Sequence, residues 1–210
     1  MKPRATLPPD DGNPAAADDV RLETPSRRRR ADFLANVRRS GRLHGRWIAA
    51  PATIEEFEAY LERTRRPNQL AWFVVTPDGE LAGVVNASEI VRGNFLSAYL
   101  GYYALAPHHR RGYMTAGLRL VIREAFEEHG LHRLEANIQP GNVASRRLVR
   151  RLGFRREGFS PRYLKIAGRW RDHERWAITR EEWTRSRGRD PGRVRAAGRP
   201  RSLRARRNSL

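Results

Sequence analysis

Apolar positions along the chain change period several times, and each change marks an element boundary. In "TIEEFEAYLERTR", Phe57, Tyr60 and Leu61 recur at helical spacing. Thr53 stands as a cap and Glu56, three positions on, completes a capping box, so a helix is predicted there. "LAWFVVTPDGELAGVVNASEI" holds two β-rich runs around Pro77-Asp78-Gly79 and reads as a hairpin. "LSAYLGYYALA" reads as a further strand, and Gly101 inside it predicts a bulge or a close backbone approach. From Tyr113 to His129 the residues Met114, Leu118, Val121, Ile122 and Ala125 share one helical face, with Gly130 past the end. "RLEANI" alternates, with Leu134, Ala136 and Ile138 on one side, and Asn142 caps a short helix running to Leu152. "FRREGFSPRYLKI", the turn Ala167-Gly168 and "RWRDHERWAIT" form a long closing hairpin. Upstream, "VRLET" is a weak first strand. "SRRRRADFLANVRRSG" is a helix with Ser26 as cap and Gly41 as stop. Helices followed by β-β-β-α-β-α-β-β describe an α/β (α+β) layer: a mixed, mostly antiparallel twisted sheet flanked by helices.

Composition sets the limits of this domain. Periodicity is sustained over residues 19–183 of the 210. Residues 1–18, rich in Pro, Ala and Asp, are expected to be disordered, and residues 184–210 form a low-complexity basic tail. There is no cysteine, hence no disulfide frame, thiolate metal site or cysteine nucleophile, and no metal centre is expected. No apolar run reaches the ~20 residues of a membrane span, and the first residues lack a signal-peptide core, so a cytoplasmic address is expected. The formal net charge is +19, and residues 185–210 alone carry ten arginines against one aspartate. That tail could hold RNA phosphate without sequence preference, or be no more than a solvated tail.

Chemistry concentrates at "APHHRRGYMTAG". A strand that ends in a loop of backbone amides opening a helix suits an anion. Arg110 and Arg111 add charge-assisted donors, and Gly112 permits close backbone approach. On its own the same loop reads equally as a solvated turn.

A second stretch decides between these. "RRGYM" before a helix, with "NVASRRLVRRLGF" about 30 residues on, resembles the GNAT family of N-acetyltransferases, whose acetyl-CoA loop follows the pattern Gln/Arg-x-x-Gly-x-Gly/Ala. Here the loop reads His109-Arg110-Arg111-Gly112-Tyr113-Met114, with His109 and Met114 departing from the strict pattern. "IVRGNF", "AYLGYYA", "LHRLEANIQPGN", "RLGFRREGF" and "YLKIAGRWRDH" together resemble the ribosomal-protein-alanine branch (the RimJ/RimL type) over roughly residues 70–183.

The resemblance implies acetyl-CoA as co-substrate and the transfer of acetyl to a primary amine, foremost the N-terminal α-amino group of a ribosomal protein. It implies that the backbone of Tyr103, Ala104 and Leu105 holds pantetheine. Pyrophosphate would sit on Arg110, Arg111, Gly112, Tyr113, Met114 and Thr115, and Asn142 would contact the pantetheine arm or serve only as a cap. Glu135 would act as general base or be a solvent-facing strand carboxylate. Ser145 would lie near the thiolate or merely support the cap. The tyrosine acid that many members carry on this helix is Val149 here. Tyr163 and Asp172 could line an acceptor groove, although Asp172 and His173 suit a structural bond across the hairpin better. Two alternatives stay open: a small-molecule amine as acceptor, and an RNA- or ribosome-binding module without catalysis.

Overall fold

The computed structural model describes residues 19–45 and 47–187; the segment 1–18 and the tail residues 188–210 lie outside them. The strands are β1 (Arg21–Glu23), β2 (Leu70–Val75), β3 (Leu81–Val91), β4 (Ser97–Ala104), β5 (Arg133–Ile138), β6 (Arg155–Ile166) and β7 (Arg169–Thr179). The helices are α1 (Arg30–Arg39), α2 (Gly41–His44), α3 (Ile54–Thr64), α4 (Tyr113–Glu127), α5 (Val143–Arg151) and α6 (Arg180–Arg187). All seven strands join one sheet in the order β1-β2-β3-β4-β5-β7-β6, and only β4 and β5 run parallel. The mixed, mostly antiparallel sheet is thus the observed one.

Strand alternation divides the core in two. On one face Trp72 and Val74 of β2, Val85 of β3, Leu100 of β4 and Leu134 and Ala136 of β5 pack against Leu118, Val121 and Ile122 of α4 and Val149 of α5. On the other face Phe73, Val75 and Val84 meet Phe33 and Val37 of α1 and Phe57, Tyr60 and Leu61 of α3. The α3 capping box forms as expected: the Thr53 hydroxyl accepts from the Glu56 amide, and the Glu56 carboxylate accepts from the Thr53 amide.

Other local expectations are corrected. Ser26 makes no side-chain capping bond and precedes a 3-10 turn over Arg27–Arg29. α1 ends at Arg39 with Ser40 as its cap, just before Gly41 as expected, but Gly41 also opens a short α2 that stops at Gly45, whose φ is +48°. Ser40 turns the chain between α1 and α2. Its hydroxyl donates to the Asn36 carbonyl at 2.6 Å and accepts from the Ala106 amide at 2.8 Å. The Gly101 bulge is absent: Asn86 and Gly101 pair in unbroken register, and the irregularity lies between Ser88 and Val91. α6 continues to Arg187, four residues into the stretch expected as tail, because Trp183 packs into the core. Among the described residues no helix is long and apolar enough to cross a membrane, and no cluster of potential metal ligands occurs.

The fit of α4 against β2 yields a stability prediction. A Cβ built on Gly117 would lie 2.5 Å from Val74 Cγ2, inside the fully buried core. Alanine gains roughly 0.5–1 kcal/mol over glycine in a helix, but overpacking a core costs about 1–3 kcal/mol. Gly117→Ala should therefore be net destabilising by about 1–2 kcal/mol, read as a lower denaturant midpoint at unchanged m-value. A midpoint at or above the wild type would refute tight α4–β2 packing.

Candidate active site

The parallel ladder between β4 and β5 is short. It pairs Ser97 with Arg133, Ala98 with Leu134 and Tyr99 with Glu135. Beyond that, β4 stays with β3 up to Gly83↔Ala104, while β5 stays with β7 up to Ile138↔Glu174. The strands part, and the edge of β4 from Leu100 to Ala104 faces an opening. Alternation decides which backbone groups point into it. The Leu105 amide donates to the Ala82 carbonyl at 2.8 Å, so Leu105 and Tyr103 turn their backbone toward β3. Tyr102 and Ala104 turn theirs toward the opening. Of the expected trio only Ala104 turns its backbone to the opening, beside Tyr102. The Ala104 carbonyl is already taken by His44 Nε2 at 2.9 Å, and the Tyr103 ring packs edge-on against the same imidazole.

The loop after β4 brings a helix start to the end of this opening. Gly112 is the N-cap of α4 with φ +80°, a left-handed conformation that glycine adopts without strain. It offers no side-chain cap, and the first turn of α4 has no acidic residue. The Thr115 and Ala116 amides donate to the Gly112 carbonyl, which leaves the earlier amides of Gly112, Tyr113 and Met114 without helical acceptors. Arg110 and Arg111 are exposed and form no ion pair with the described residues. Tyr113 is buried against His108, whose imidazole meets Glu80 at 3.1 Å. Met114 abuts Gly83: a Cβ there would collide with its sulfur. Free amides, positive helix end and two unpaired guanidiniums suit a polyanionic ligand such as a pyrophosphate.

On the α4–α5 face the opening is lined by hydroxyls. The Asn142 Oδ1 accepts from the Ser145 amide at 3.1 Å, so Asn142 does cap α5. The Ser145 hydroxyl lies 2.7 Å from the Tyr102 hydroxyl. Burial pushes the Tyr102 phenol far above its usual range, only partly offset by the Ser145 contact, so it stays neutral. Val149 is buried in the core.

The opposite face carries Tyr99, Gly101, Glu135 and Asn137. Glu135 Oε1 accepts from Arg133 at 2.9 Å, and the same guanidinium binds Glu157. The hydrogen bond that the Tyr99 hydroxyl donates to Tyr163 is the first cause of its raised phenol. Tyr163 also contacts the buried His173 ring. Gly101 has open space where a side chain would stand. Asp172 is drawn off into structure: its Oδ1 accepts from the Arg162 amide at 2.7 Å, holding the bulge in β6 where Arg162 has φ +48°. Tyr102, Tyr99 and Gly101 thus join the site although none was singled out for it. The signal for Tyr102 was its place one residue before the expected trio, on the alternate side of the strand.

Comparison with known proteins follows this geometry. Residues 19–155 match the model of the acetyltransferase (GNAT) domain. The chain is 42% identical over 139 residues to the [ribosomal protein uS5]-alanine N-acetyltransferase of Escherichia coli, covering 66% of this chain and 69% of that one. It spans about two thirds of the length of its curated relatives. Mycobacterium smegmatis RimJ in complex with CoA-disulfide superposes with a TM-score of 0.73 at 28% identity, covering 80% and 85% of the two chains. The spermidine N-acetyltransferase of Vibrio cholerae, in complex with CoA and spermine, shares the fold with a TM-score of 0.66 at 21% identity, over 79% and 98%.

Two buried imidazoles tie this region to pH. Burial holds both His44 and His173 below the ordinary value of 6.5. The unfolded chain gains a proton at each near that value while the folded chain resists it, so stability falls as pH drops from 6.5 toward the depressed folded values. The lowered carboxylates act only below 4.5, outside this window. Tm should be lower at about pH 5.5 than at about pH 7.5, and His44→Gln should shrink the difference. An equal pH response in the variant would refute this role for His44.

Proposed function

Because the chain belongs to the GNAT acetyltransferase family, with acetyl-CoA as acetyl donor, we propose that it acetylates the N-terminal α-amino group of a ribosomal protein. The observation that carries this reading is the opening between β4 and β5, with hydroxyls on one face and a carboxylate beside an empty glycine surface on the other. The 42% identity to a uS5-alanine N-acetyltransferase supports the acceptor class.

In this reading the backbone of Tyr102 and the amide of Ala104 hold the pantetheine arm. The amides of Gly112, Tyr113 and Met114, with Arg110 and Arg111, hold the phosphates. Acetyl-CoA supplies an activated thioester. Glu135 takes the proton that the amine loses as the C–N bond forms. The Ser145 hydroxyl hydrogen-bonds the sulfur that leaves with the electron pair as the C–S bond breaks. Most of the rate comes from positioning.

The acceptor follows from protonation. An α-amino group titrates near 7.7–8.0, so roughly 10–15% is neutral at pH 7, against about 0.04% of a lysine amine near 10.4. A site with valine where an acid could stand, and a carboxylate already held by Arg133, suits the amine that is more often neutral. A polyamine acceptor is the second reading, favoured by the shared fold with the spermidine enzyme. The net charge of +19 weighs against it, because that field repels a polycation and attracts a ribosome. Arginines of the 185–210 tail would add a salt-dependent pull toward ribosomal RNA.

Calorimetry with acetyl-CoA tests the donor side. Wild type should bind at micromolar affinity, Gly112→Asp should abolish binding, and Asn142→Ala should weaken it about tenfold, near 1.4 kcal/mol. Unaltered binding by Gly112→Asp would remove the loop from the site. For the acceptor, peptides starting with Ala or Ser should gain one acetyl group at the N-terminus. Acetylation confined to lysine, or to spermidine, would overturn the α-amine reading.

A further inference from the structure

We infer that Tyr102 aims the Ser145 hydroxyl at the departing sulfur, and is a positioning residue for the reaction. The inference rests on the proposed role of Ser145. Each hydroxyl of the pair carries one hydrogen, and at 2.7 Å only one of the two can lie between the oxygens. If Ser145 donated, the Tyr102 hydrogen would have to find another acceptor inside the fold, and Ser145 is the only partner recorded for that hydroxyl among the described residues. A buried donor left unmet is the costlier arrangement. Tyr102 therefore donates and Ser145 accepts, which frees the serine hydrogen to point elsewhere.

Where it points is limited by what holds Ser145. Its amide is fixed by Asn142, so its backbone cannot swing, and its side chain is only partly buried. Tyr102 approaches from the β4 edge, across the opening that begins beyond Tyr99↔Glu135. With one lone pair of the serine oxygen engaged, the free O–H is left to the opening. One turn on, Val149 supplies no competing group. Tyr102 itself does not give up its proton: burial holds the phenol neutral, far above the range in which it could protonate a thiolate. It orients a donor and remains intact.

A double-mutant cycle tests this, with steady-state kinetics on an Ala-initiated peptide, or on spermidine if wild type turns over only that. Tyr102→Phe should lower kcat about tenfold at unchanged acetyl-CoA Kd and unchanged amine KM. Ser145→Ala should lower kcat by a similar factor. The double variant should be no slower than Ser145→Ala alone, because Tyr102 acts only through that hydroxyl. Wild-type kcat in Tyr102→Phe, or additive losses in the double variant, would overturn the inference and leave the role of Ser145 standing. Wild-type kcat in Ser145→Ala would overturn the role of Ser145 and the inference with it. Turnover of neither amine by wild type would sink the proposed function and this inference together.

Discussion

A parallel pair of strands that starts and does not finish governs this molecule. β4 and β5 share three register positions and then each follows its outer neighbour. Every buried backbone group needs a partner, so an abandoned ladder inside a seven-stranded sheet creates demand for an extended ligand with its own amides and carbonyls. Pantetheine is such a ligand. The fold does not add a binding site to a finished sheet; it leaves one rung-row of the sheet open, and the proposed reading has the substrate complete it.

Keeping that gap open without collapse falls to groups that the strands themselves do not supply. The α1–α2 corner reaches across with Ser40 on the Ala106 amide and His44 on the Ala104 carbonyl. From the other face Tyr102 spans to α5. These contacts are buried or half-buried, where hydrogen bonds carry weight. The charged network Glu135–Arg133–Glu157–Arg155–Glu182 is more exposed and correspondingly weak as a source of stability. The geometry of the cleft is held by the core side of its walls.

Much of this was legible in the chain. Phe57, Tyr60 and Leu61 announced α3, the Thr53–Glu56 box announced its start, and Leu134, Ala136 and Ile138 announced the buried side of β5. These are short-range patterns whose physics is local. The failures were non-local. Gly41 marked the end of α1, but nothing nearby announced α2 after it, nor the bond from the Ala106 amide, 66 residues away, to the Ser40 hydroxyl at that corner. Which alternate residues of β4 face the opening depends on register with β3, which Ala82 and Leu105 set and which no periodicity within β4 reveals. The same holds for Tyr102: nothing within β4 marked it, and only its pairing with Ser145, 43 residues on, makes it part of the cleft.

Gly101 lies mid-strand, in regular register, with empty space above it. A strand interior ordinarily disfavours glycine, since it leaves the unfolded chain freer than any side chain would and has nothing to pack. Neither turn geometry nor crowding asks for it here. It is a position where the chain forgoes stability that a single methyl group could recover, and it leaves the face of the cleft beside Glu135 open. Under the proposed reading, one substitution at this position would narrow the space offered to an acceptor at no cost to folding and without touching the groups assigned to the acetyl donor.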